Sequence, residues 1–292
     1  MSRRHSSRRR GRGQGGKSRN LLAISLLAGA SLLVMSGAGV GGYILSTKEQ
    51  PDEIGCLPSV TDHTMMLVDV SPPAWGEGQR RDIKTVFDQT YRDLKPAEKL
   101  TLLTTEGDQI SSLGGNARVQ LCKPATGSDN DRFNRRLFLK VFEEQIEPIV
   151  EQLMGIDQAS RVDIRAQMAQ SPLLETFQSV SKRDDFSVEA DSRKLVIVSD
   201  MLQSTEFAEF CFVKGHLPPF EKFKERADWF RMVPDDLFGT EVEIYLLVLV
   251  GYGTRLPFCN EKELHDFWTA YFKDAGAASV VIHRLRPDVV SG

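Results

Sequence analysis

Two short apolar runs end in acidic residues. Residues 65–75, MMLVDVSPPAW, push Asp69 and Ser71 out of the end of an apolar stretch, and residues 194–199, KLVIVS, end at Asp200. Apolar runs bounded by turn residues have the form of central parallel strands, and in open α/β sheets ligands collect outside the carboxyl ends of such strands. Ser171 precedes Pro172 at the head of a further helical stretch. Carboxylates and hydroxyls in these places are oxygen donors suited to binding; the alternative is that they cap helices or bond loop amides. No nucleophile and base stand beside them. His63, His216, His265 and His283 lack metal spacing, and Gly251-Tyr252-Gly253 has neither the third Gly of a dinucleotide loop nor the Lys of a P-loop. The four cysteines show no CxxC pair, which argues against zinc.

The elements that would position these residues follow from periodicity. Strands are expected at 65–70, 99–104, 117–122 (antiparallel, at an edge), 194–199, 241–250 and 279–285. Ile83, Val86, Phe87, Tyr91 and Leu94 predict a helix over 82–94. A long helix over 130–154 puts Phe133, Leu137, Phe138, Val141, Phe142 and Ile146 on one face, with a kink at Pro148. Ser171 as cap with Pro172 at the first position predicts a helix to about Val180. Another is expected over 221–230, and a last from Asn260 to about Lys273 with Glu263 in a reciprocal capping box. Strands alternating with helices imply a three-layer α/β/α sandwich, Rossmann-like, with a mostly parallel sheet and one antiparallel edge strand.

The start of the chain differs from the rest. Eight of the 37 Lys and Arg precede residue 48 whereas all 40 Asp and Glu follow it, so the remainder carries about −11, a poor match for nucleic acid. Residues 21–45 contain no charged side chain and are long enough to span a bilayer. The expected organisation is a basic cytoplasmic arm at 1–19, a transmembrane helix at 20–46, a linker at 47–62 and a domain at 63–292. That places the amino terminus in the cytoplasm and the domain outside the inner membrane, in the periplasm. The rival reading is a cleaved signal peptide with Ser36-Gly37-Ala38 at the cleavage spacing. Gly37 and Gly41 give a GxxxG face through which two copies could associate. An even number of cysteines, all beyond the apolar segment, suits an oxidising compartment.

The order of elements, with Asp69-Val70-Ser71 after the first strand, Ser171 before a helix and Val198-Ser199-Asp200 after the fourth, resembles the von Willebrand factor A (VWA) domain over residues 64–286. The resemblance implies that Asp69, Ser71, Ser171 and Asp200 converge on a divalent cation, Mg²⁺, completed by an acidic residue of a partner protein. An all-oxygen set of this kind suits that hard ion. Pro73 stands where the family has a second Ser, which leaves one hydroxyl fewer. The same layout puts Cys211 near Cys259 at one end of the sheet, and Cys56 and Cys122 near the opposite edge. The alternative there is four free thiols.

The expected function is thus a non-enzymatic, membrane-anchored interaction module whose partner is another envelope or membrane protein. The rivals are a metal-assisted hydrolase on the same sheet and a structural module whose site has lapsed.

Overall fold

Strand β1 (His63–Val68) lies at the centre of a six-stranded sheet, buried along its whole length. With β2 (Lys99–Thr104), β3 (Val119–Cys122), β4 (Arg193–Ser199), β5 (Glu241–Leu246) and β6 (Ser279–Arg284) it forms the order β3-β2-β1-β4-β5-β6 in this computed structural model. Every neighbouring pair is parallel except β2 and β3, which run antiparallel. The structure describes residues 49, 51–71, 75, 77–105, 117–148, 171–211, 216–248 and 259–285. The chain divides into the units Met1–Gln50 and Pro51–Gly292, and the whole sheet belongs to the second. The expected arm, membrane helix and Gly37/Gly41 face lie outside the described residues. Among the described residues no helix is long and apolar enough to cross a membrane.

Each sheet face buries alternate strand residues. Met65, Leu67, Leu195 and Ile197 pack against α3 (Leu173–Ser181), α4 (Phe220–Lys224) and α5 (Glu261–Asp274). Met66, Val68, Val196 and Val198 face the other way, onto α1 (Glu77–Asp93) and α2 (Asp129–Val141). Helices on both faces explain why β1 and β4 read as continuous apolar runs: neither face reaches water.

Several boundaries differ from expectation. Strand β1 begins at His63 and ends before Asp69, so the acid lies one residue past the strand. Helix α1 starts at Glu77, five residues early, with the acid of Glu77 in its first turn, where the helix dipole favours it. Helix α2 is capped by Ser128, whose hydroxyl accepts from the Asp131 N–H, and it runs on as a π-helix over Phe142–Ile146. Its expected continuation past residue 148 lies outside the described residues. Phe138, Val141, Phe142 and Ile146 are buried as expected, but Phe133 and Leu137 are not: they stand 65% and 38% exposed. The inward arc of the first turns is taken by Asn134, which donates to the Cys122 carbonyl, and by Arg135, which grips both oxygens of Asp88. The helix expected over 221–230 is instead α4 and a separate 3₁₀ turn, Trp229–Arg231. Asn260 caps α5 by accepting from Lys262 and Glu263, but Glu263 does not complete the box; its carboxylate binds His216 and the Leu217 N–H.

At the amino end of the sheet His63 is buried, its ring bonded through Nδ1 to the Asp185 carbonyl and through Nε2 to the Thr101 hydroxyl. Burial, more than any nearby charge, pushes its pKa down to about 4. The sign follows directly. Above pH 6.5 the neutral ring is favoured in both states, and below it the unfolded chain takes up a proton that the folded chain refuses until about pH 4. Stability should therefore fall by on the order of 2–3 kcal/mol between pH 6.5 and 4, at about 1.4 kcal/mol per unit. His63→Gln should flatten that slope in urea unfolding across the window. Burial alone would raise Asp185, but Arg183 and Lys99 outweigh it and hold that carboxyl well below its usual range, so its own loss comes at more acid pH.

Candidate functional site

The chain leaves β1 through Asp69, whose N–H donates to the Val198 carbonyl at 2.8 Å and extends the β1–β4 ladder by one step. Its side chain is thereby fixed at the carboxyl edge, fully buried. Oδ1 accepts from the Ser71 N–H (3.0 Å), the Ser71 hydroxyl (2.6 Å) and the Thr105 hydroxyl (2.7 Å). Oδ2 accepts from the Ser199 hydroxyl (2.7 Å) and the Ser171 hydroxyl (3.2 Å). One carboxylate thus gathers four hydroxyls from the exits of β1, β2 and β4 and from the head of α3.

Asp200 follows Ser199 at the end of β4 and is also buried. Its Oδ1 accepts from the Leu202 N–H at 3.0 Å, and among the described residues nothing donates to Oδ2. Burial first, and the charge of Asp69 second, push its pKa well above the usual carboxylate range. Among the described residues no Lys, Arg or His side chain is ion-paired to Asp69 or Asp200. The next residue, Met201, takes a left-handed φ of 60°, which for a side chain other than glycine costs about 1–2 kcal/mol. It is held there because its side chain is buried and its carbonyl accepts from the Trp268 indole at 2.9 Å.

Ser171 reaches the cluster from an unexpected position. It does not cap α3, whose cap position is Pro172 without a side-chain bond. Instead its backbone pairs with Ser204 in both directions, at 3.0 and 2.9 Å, and Ser204 bridges in turn to Glu209. The loop after Asp200 therefore carries Ser171 to Asp69, and the hydroxyl is spent on the carboxylate rather than on a helix amide. The start of α3 is tied instead by Gln203, which accepts from the Leu174 N–H.

The four residues singled out from sequence, Asp69, Ser71, Ser171 and Asp200, lie at one corner of the sheet. Thr105 and Ser199 were missed. Both occupy strand exits beside an acid, and that shared position was the available signal. Pro73 lies outside the described residues. Trp75, four residues beyond Ser71, is buried, its ring stacked on Phe142 with centroids 6.2 Å apart. Among the described residues no three His, Cys, Asp or Glu side chains gather as a metal site, so the cluster's donors are two carboxylates and hydroxyls.

Both disulfides are formed. Cys211 joins Cys259, with Cα atoms 5.2 Å apart, and fastens the loop after Asp200 to the segment leading into α5. Cys56 joins Cys122, with Cα atoms 5.0 Å apart, and fastens the segment before β1 to the end of edge strand β3. Among the described residues no cysteine is free.

No family model matches the chain, and no curated protein matches it. Among solved structures it is similar to an aerotolerance-related membrane protein from Bacteroides fragilis, at 9% identity and a TM-score of 0.34, over 76% of this chain and 91% of that one.

Proposed function

We propose that the protein is a membrane-anchored, non-enzymatic protein-interaction module of VWA type, and that Asp69, Ser71, Ser171 and Asp200 hold a divalent cation, Mg²⁺, at which a carboxylate of another envelope protein docks. One observation carries the reading. The strand order turns back at β1, with β2 to one side and β4 to the other, and Asp69 and Asp200 leave the sheet at that switch point, where open α/β sheets place their ligands. The donor set fits a hard cation: two buried carboxylates repel each other, the side-chain ligand atoms described at the cluster are oxygens, and one oxygen of Asp200 accepts no bond from the described residues. Bound there, the ion supplies positive charge for an incoming acid. The chain's own residues orient it, since Thr105 and Ser199 hold the Asp69 carboxylate while Ser71 and Ser171 present hydroxyls beside it. Residues 21–45 anchor the chain, with the amino terminus cytoplasmic and the domain in the oxidising compartment that its two disulfides suit.

Thermal unfolding of the whole chain with EDTA, Mg²⁺ or Mn²⁺ tests the site. An ion at about 100 times its dissociation constant should stabilise the fold by about 2.7 kcal/mol, and Asp69→Ala and Asp200→Asn should each remove that gain. Capture of an envelope partner should then be reversed by EDTA. No shift with either ion would overturn the metal reading and favour a structural module in which Asp69 is satisfied by its hydroxyls alone.

A further inference from the structure

We propose that the exposed arc of α2 formed by Phe133, Arg136, Leu137 and Lys140 lies against the anionic headgroup layer of the membrane. The inference rests on reading residues 21–45 as the anchor. Phe133 and Leu137 are one helical turn apart, both exposed, and belong to neither apolar core cluster. Arg132, Arg136 and Lys140 surround them on the same exposed side. Asp129 and Glu144, at the two ends, are already paired with Arg132 and Lys140, which leaves Arg136 with no acidic partner among the described residues. An apolar pair framed by long basic side chains is the surface that an interfacial helix presents to anionic lipid.

The place of the tether favours lipid as the occupant. The chain beyond residue 47 carries about −11, so an anionic bilayer repels most of the body, and the arc is the exception through Arg136, since Arg132 and Lys140 are paired with acids. The tether joins the body beside this helix. The 11 residues from Leu45 to Cys56 extend to at most about 40 Å, and the Cys56–Cys122 disulfide ends that tether at the strand terminus whose carbonyl accepts from Asn134 of α2.

The test uses the whole chain carrying Phe133→Trp, reconstituted into phosphatidylcholine vesicles with or without phosphatidylglycerol, all with brominated acyl chains. Flotation with the vesicles is read on the same samples, and the unsubstituted chain supplies the blank for Trp75, Trp229 and Trp268. The expected result is flotation in both lipids, with the added indole quenched several-fold more in phosphatidylglycerol vesicles. Arg136→Glu with Lys140→Glu should abolish that quenching and leave flotation unchanged. A chain that floats with its added indole unquenched in anionic vesicles overturns the inference and leaves the anchor standing. A chain that does not float overturns both. Cross-linking to a second copy from a photoreactive side chain at position 133 would assign the arc to self-association and likewise overturn the proposal.

Discussion

Asp69→Ala should lower the stability of the fold by about 3–5 kcal/mol in the absence of any added ion. The substitution removes the acceptor of five donors at once: the Ser71 N–H and the hydroxyls of Ser71, Thr105, Ser171 and Ser199. Each buried donor left without a partner costs about 1–3 kcal/mol, and hydroxyl rotation with entering water recovers part of the total. At about 2–4 °C per kcal/mol for a domain of this size, the unfolding midpoint should drop by about 10 °C. Thr105→Val removes one of the five and should cost about 1 kcal/mol. Asp200→Asn gives the contrast. It replaces a carboxyl whose ionised form is disfavoured by burial and by Asp69, so without ion it should leave stability unchanged or raise it, while with Mg²⁺ it should lose the gain that the unaltered chain shows. Urea unfolding of the three variants, with and without EDTA, checks the pattern. An Asp69→Ala protein as stable as the parent would show that the hydroxyl cage does not support the corner of the sheet.

Breaking either disulfide should cost about 2–4 kcal/mol. The bridged residues are separated by 66 positions in Cys56–Cys122 and by 48 in Cys211–Cys259, and restricting loops of that length in the unfolded chain is worth about 4 kcal/mol before native strain is deducted. The two losses should differ in kind. The loop that Cys211 fastens carries Ser204, which holds Ser171 against Asp69, so Cys211→Ser with Cys259→Ser should also weaken ion-dependent stabilisation. Cys56→Ser with Cys122→Ser should lower the baseline and leave the ion response intact. Midpoints measured with and without Mg²⁺ separate the two effects.

The sheet was legible because burial on both faces leaves an unbroken apolar run, and the β1 and β4 runs are of that kind. The acids at their ends were legible for the same reason, since a charge that stops such a run marks the strand exit. Ser171 is legible as a member of the cluster, but its reading as a helix cap is not met. Ser before Pro reads locally as a helix cap, and only the pairing with Ser204, 33 residues on, turns the hydroxyl to Asp69. Thr105 and Ser199 stand at strand exits beside Glu106 and Asp200, which marks their place in the sequence, but the carboxylate that such a hydroxyl bonds is chosen by tertiary structure. Phe133 and Leu137 fall on one stripe with the core residues only when spacings of four are read without the drift of the helix. At about 100° per residue, both lie about 100° or more around the helix from Phe138, beyond the arc that α1 covers.

The clasp between Cys56 and Cys122 also governs how mechanical load enters the protein. A pull on the chain before residue 56 meets a covalent branch, one arm leading to β1 and the other to the end of β3. The load is shared with an edge strand that contributes nothing to the acid cluster. Asp69 stands at the far end of β1, six residues past His63, with β2 and β4 hydrogen-bonded along both sides of the strand between them. A pull on the tether is therefore divided between two strands, and the carboxylate stands at the end of β1 remote from where that load enters.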